Sequence, residues 1–182
     1  MGTNPSKFKS KGLRPVENVS WEDTQAFCRK LKDITQAPFC IPTESQWEYA
    51  CRAGTTTPFH FGSQLNGRQA NCDGTLPYGT DTEGPHLKKT TPVGKYPANA
   101  WGLYDMHGNV WEWCADWYGD FPTGSVTDPI GPATGSIRVF RGGCWYTVAL
   151  FCRSAYRFGL VPSDRDDFLG FRVALSSSGI PK

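Results

Sequence analysis

The chain has 182 residues, the length of one domain, with 20 Gly and 14 Pro beside 11 Phe, 7 Trp, 7 Tyr and only 2 Met. So many backbone breakers exclude a coiled coil or helical bundle, and the aromatic content excludes a disordered tail. Lys+Arg number 19 against 17 Asp+Glu, so no global charge points to nucleic acid, and apolar runs of only a few residues argue against membrane insertion or a secretory segment.

The first dozen residues (1–12) are polar and lysine-rich, and read as a lead-in with Lys7, Lys9 and Lys11 on a solvated arm. Ser20-Trp-Glu-Asp23 is a capping box that opens a first helix. Thr24, Phe27, Cys28, Leu31 and Ile34 recur at helical spacing and define its buried face. A second box, Thr43-Glu-Ser-Gln46, opens a shorter helix that turns Trp47 and Ala50 inward and ends with Gly54 in a left-handed C′ position.

From Thr55 to about Asn99 the chain has no period, so it needs internal anchors, for which Phe59, Phe61, Tyr78 and Tyr96 are candidates. Val110, Trp111, Trp113 and Trp117 suit a short strand beside a turn at His107-Gly108. Arg138 to Trp145 reads as a strand broken by a double glycine, and Gly170 to Leu175 as a closing strand. The seven cysteines are scattered and include no C-x-x-C pair. They read as small buried hydrophobes in a reducing setting, which favours the cytoplasm.

Arg14-Pro-Val-Glu-Asn-Val-Ser-Trp21, Pro42 through Ala50, Asn99 through Trp117, Arg141-Gly-Gly143 and Gly170-Phe-Arg172 run in an order that resembles the formylglycine-generating enzyme, or sulfatase-modifying factor, family. The resemblance implies an α+β, C-type lectin-like fold: two short helices, small antiparallel sheets and much irregular structure, over residues 13–176, with a tail at 177–182. The enzyme of that family resembles a copper-dependent oxidase that uses two cysteines shortly after the Gly-Gly element. Here Cys144 stands where the family has a serine and Cys152 lies outside the pair, so the resemblance does not carry the oxidase chemistry over. The histidines, His60, His86 and His107, have no ligand spacing, and His107 is expected to make a structural hydrogen bond.

The segment 144–169 alternates fixed-looking residues with positions that obey no period: Tyr146, Thr147, Val148, Leu150, Phe151, Tyr156, Phe158, Gly159, Leu160, Val161, Asp166, Asp167 and Phe168. This pattern is similar to the variable region of diversity-generating retroelement proteins, in which codon randomisation cannot produce Lys, Glu, Gln, Met or Trp. None of these positions carries one of the five. The implied function is a ligand-binding module, with a protein as ligand, that displays a diversified surface; the alternative is a formylglycine-generating oxidoreductase acting on a sulfatase cysteine. On general burial preference the same residues could be core. A sugar-binding role lacks the Glu-Pro-Asn or Gln-Pro-Asp motif. Arg141, Arg153, Arg157, Arg165 and Arg172 are expected to brace the loops, with Asp164 and Glu112 as partners. The family resemblance also implies a calcium ion on Asp105 and Glu112 side chains and the Gly108 and Val110 carbonyls. A metal-free turn in which Glu112 pairs with an arginine is the alternative.

Overall fold

The computed structural model describes residues 2–9 and 13–175; the expected tail at 177–182 lies outside them. In chain order the elements are α1 (Trp21–Thr35), β1 (Phe39–Cys40), α2 (Glu44–Arg52), β2 (Trp111–Trp117), β3 (Arg138–Arg141), a 3₁₀ turn (Ala149–Cys152), β4 (Arg157–Leu160), β5 (Leu169–Gly170) and β6 (Ala174–Leu175). The architecture is α+β. No helix among the described residues is long and apolar enough to cross a membrane.

Both helices begin on their capping boxes, Ser20 with Asp23 and Thr43 with Gln46, each stabilising its helix by about 1 kcal/mol. α1 buries Thr24 and Cys28 and leaves Phe27 and Leu31 half-buried. Ile34 corrects the expected face: it is 72 % exposed, because the last turn extends beyond the apolar cluster that Phe27 and Cys28 join. At the end of α2 Gly54 has the expected positive φ (91°) at C′, and the C-cap Ala53 before it also takes a left-handed conformation (φ 45°).

A four-stranded sheet in the order β4-β3-β2-β5 organises the domain, antiparallel except for the parallel pairing of β5 with β2. Its register sorts the side chains onto two faces. Trp113 pairs with Phe140 and Phe140 with Phe158 on one face. That face meets Cys28 of α1 and Ile41 in an apolar cluster that includes Trp111, Cys144 and Leu169. Glu112, Arg141 and Arg157 share the opposite face, where Trp47 and Cys51 of α2 pack on Cys114 and Val139. The expected closing strand is split: β5 joins this sheet, and β6 pairs with β1 in a separate two-stranded ribbon.

The aperiodic stretch is held by a third cluster built on Phe59, Leu65, Ala70 and Cys72, with Phe61 and Tyr78 beside it. It also takes Ala149 and Cys152 from the 3₁₀ turn, so the irregular half of the molecule packs under the segment that follows β3. The lead-in also departs from expectation. Ser6 is buried and Phe8 N–H donates to Glu17 Oε1 at 2.8 Å, whereas Lys7, ion-paired with Asp167, and Lys9 are exposed as expected; Lys11 lies outside the described residues.

Candidate ligand-binding face

The chain leaves β3 through Gly142 (φ 100°) and Gly143 (φ 79°), conformations that disfavour a side chain; a Cβ on Gly143 would also collide with Cys152 Sγ. Trp145 N–H then donates to the Asn109 carbonyl at 3.0 Å, and its indole to the Asp167 carbonyl at 3.2 Å. Ala149, Cys152 and Ser154 are fully buried. Ser154 is fixed by its own N–H on the Pro58 carbonyl (2.8 Å) and by Arg141 Nη2 on its carbonyl (2.9 Å).

Between these anchors the side chains turn outward. Tyr146 (40 %), Leu150 (40 %), Phe158 (51 %) and Val161 (42 %) are exposed, as is Asp166. Val148, Phe151, Tyr156, Leu160, Asp167 and Phe168 are half-buried, and four of them, Phe151, Tyr156, Leu160 and Phe168, cap the apolar cluster under the sheet. Ring contacts connect them: Phe8, Trp145, Tyr146 and Phe168 follow one another at 5.4, 5.1 and 5.2 Å, and Phe151 meets Tyr156 at 4.7 Å. Burial, with the charges of Cys144, Asp166 and Asp167 adding to it, pushes the Tyr146 phenol up to about 12.

Two expected positions are not displayed. Thr147 is buried, its hydroxyl accepting from Cys144 N–H (2.8 Å) and donating to the Cys144 carbonyl (3.1 Å), which closes the turn. Gly159 has no room for a Cβ, which would lie 2.9 Å from the Arg138 carbonyl oxygen and 3.1 Å from the Tyr118 ring. The sequence also missed Lys7 and Phe8, which flank the face; the one available signal was an aromatic inside the lysine run.

The arginines brace the face, largely with other partners than expected. Arg157 Nη2 meets Glu44 Oε2 at 2.6 Å and Arg141 lies between Glu44 and Glu48, both on α2. Arg165 pairs with Asp23 at 2.8 Å, and Arg153 donates to the Leu150 carbonyl. Asp164 is in none of the ion pairs among the described residues; Glu112 takes Arg172 on both oxygens, at 2.5 and 2.7 Å.

That pairing bears on the calcium expectation. Asp105, Gly108, Val110 and Glu112 line one cavity of about 350 Å³ with Arg172. Asp105 accepts Gly94 N–H at 2.9 Å, and burial, with the Glu112 charge adding, holds its carboxyl above the usual range. Two carboxylates thus face one guanidinium. Asp105 offers the cavity a hard oxygen donor, whereas both oxygens of Glu112 are already engaged by Arg172 and Oε2 also by the Trp47 indole (2.6 Å), which is the metal-free pairing given as the alternative.

Cys144 and Cys152 are both fully buried, and burial pushes the Cys144 thiol up to about 12, which keeps it protonated and a poor soft-metal ligand or nucleophile. His107, also buried, makes two bonds that fix its tautomer: Nδ1–H donates to the Cys152 carbonyl (2.7 Å) and Nε2 accepts from His60 N–H (3.1 Å). Burial holds its pKa down at about 3.

The sulfatase-modifying factor enzyme 1-like domain matches residues 2–177. The chain belongs to this family. Within it, the formylglycine-generating enzyme of Streptomyces coelicolor is 39 % identical over 173 residues, covering 88 % of this chain and 52 % of the relative. A mouse protein named inactive C-alpha-formylglycine-generating enzyme 2 is 36 % identical, covering 97 % and 54 %. The chain thus spans about half the length of these curated relatives. Among solved structures, Treponema denticola variable protein 1 superposes with a TM-score of 0.83 at 31 % identity, over 96 % of this chain and 78 % of that one. Formylglycine-generating enzymes, a relative named inactive and a variable protein are thus all similar to this chain, and the fold alone does not choose among them.

Proposed function

We propose that this domain is a non-enzymatic binding module whose 144–169 segment displays a diversified surface to a protein ligand. One observation carries the reading: exposed apolar side chains at Tyr146, Leu150, Phe158 and Val161 alternate with fully buried anchors at Ala149, Cys152 and Ser154. A cluster of exposed aromatic and aliphatic groups on a rigid support is the composition of a recognition surface. The likeness to a variable protein supports the same reading. The oxidase's cysteine pair has no counterpart in the stretch 144–152, where Cys144 takes the serine position and both Cys144 and Cys152 are fully buried, which favours the binding reading.

A calcium ion, if bound, would be held by Asp105, Glu112 and the Gly108 and Val110 carbonyls, and would supply charge that pins the turn before β2. The DNA beside the gene tests the class. A near-copy of the bases encoding 144–169, with adenines at the displayed codons and a reverse transcriptase nearby, is the expected result. Conversely, aldehyde formed on a cysteine-containing sulfatase peptide incubated with the protein, Cu(I) and oxygen would establish the oxidase instead.

A further inference from the structure

We propose that the outer edge of β4 is a strand-addition site that accepts an extended, apolar segment of the partner protein. This deepens the display reading and rests on it. β4 is the terminal strand of the four-stranded sheet, with β3 on its inner side only. Alternate residues of such a strand turn their N–H and C=O groups outward, and among the described residues no loop or side chain hydrogen-bonds to that outer row.

Edges of this kind are normally guarded by lysine, proline, a bulge or a charged side chain. β4 reads Arg-Phe-Gly-Leu, and its register against β3 is unbroken. Its one charge, Arg157, is turned into the molecule, onto Glu44 Oε2 and the Gly119 carbonyl (2.7 Å). The unguarded edge coincides with exposed aromatics on both faces of the sheet. Phe158 stands on the Phe140 face, 51 % exposed. Tyr118 and Phe121, 38 % and 65 % exposed, stack on Arg157 at 4.3 and 4.4 Å on the other.

Side chains of an added strand would alternate between these faces. One set would meet Phe158 and the other Tyr118 and Phe121, which selects aromatic or β-branched residues at successive positions. Main-chain bonds would then supply affinity that survives diversification, while the displayed side chains set specificity. A second copy fits less well. A four-residue edge is only about 13 Å long, too short by itself to bury the roughly 1,200 Å² of a stable dimer, whereas an extended segment of a partner already held by the displayed side chains adds this edge to a larger contact.

The probe is a phage-displayed library of linear peptides of about seven residues, the length of a strand. Selection on the whole chain is followed by hydrogen exchange at residues 157–161 with the enriched peptide. Expected are apolar residues at successive peptide positions, at least tenfold slower exchange at the outward amides of β4, and about tenfold weaker binding when alternate peptide nitrogens are methylated. No enriched peptide, protection elsewhere only, an N-methylated peptide that binds equally well, or a concentration-dependent dimer that blocks β4 would each overturn strand addition. A Tyr146→Ser, Leu150→Ser double variant separates the two ideas. If a peptide is lost with those changes while β4 stays unprotected, display stands and strand addition fails; if the double variant unfolds, display itself fails.

Discussion

Lowering the pH should destabilise the domain through His107 in a way one substitution can isolate. In the native state burial holds its pKa at about 3, with Nε2 committed to accepting from His60 N–H. In the unfolded chain it titrates near 6.5. Above pH 6.5 neither state is charged and the residue contributes no pH dependence. Below it the unfolded state binds a proton that the native state refuses, so stability falls by about 1.4 kcal/mol per pH unit, or about 2 kcal/mol at pH 5, flattening near pH 3. Buried carboxyls held above their usual range, Glu17 and Glu44 among them, act with the opposite sign, and His60 with the same sign. The difference between wild type and His107→Gln is therefore the quantity to measure, by urea denaturation at pH 7.5 and 5.0. The variant loses about 1–3 kcal/mol at pH 7.5 through weakened buried hydrogen bonds. That deficit should shrink by about 2 kcal/mol at pH 5.0. A difference independent of pH would refute the buried, neutral assignment.

Arg141→Met removes the guanidinium between Glu44, which keeps Arg157, and Glu48, which keeps Arg52, and strands the buried Ser154 carbonyl, so it should cost about 1–3 kcal/mol in the same denaturation assay. Thr147→Val strands the buried Cys144 N–H and should cost about 1–3 kcal/mol. Leu150→Ser, on the displayed side of the same turn, should stay within about 0.5 kcal/mol. If calcium occupies the Asp105–Glu112 cavity, calcium added at a hundred times its Kd should stabilise by about 2.7 kcal/mol over chelated protein in thermal unfolding, and Asp105→Ala should abolish the increment. An unchanged Tm with chelator and with calcium would show that Arg172 and the Trp47 indole serve Glu112 without a metal.

Features set by neighbours in sequence were legible. Both capping boxes lie within four residues, and both helices begin on them. Of the tryptophans read as scaffold, Trp47, Trp111 and Trp113 are buried on the sheet and Trp145 is half-buried. What was not legible depends on partners far along the chain. Arg157 finds Glu44 across 113 residues, a pairing no spacing rule predicts. Ile34 continues an apolar stripe whose end is fixed by where the sheet stops. Within 144–169 the lack of period marked the segment but not which way each side chain points. Thr147 turns inward because its hydroxyl closes a turn with Cys144, and Gly159 stays small because Tyr118 and the Arg138 carbonyl crowd it.

The central claim is that the outward positions are supported by the fold without supporting it. Simultaneous randomisation of Tyr146, Leu150, Phe158, Val161 and Asp166, scored as the fraction of clones that remain folded and protease-resistant, tests it most directly. Most clones should stay folded, whereas the same treatment of Thr147, Ala149, Cys152 and Ser154 should leave few. Equal collapse of both libraries would contradict the account and return these side chains to the core.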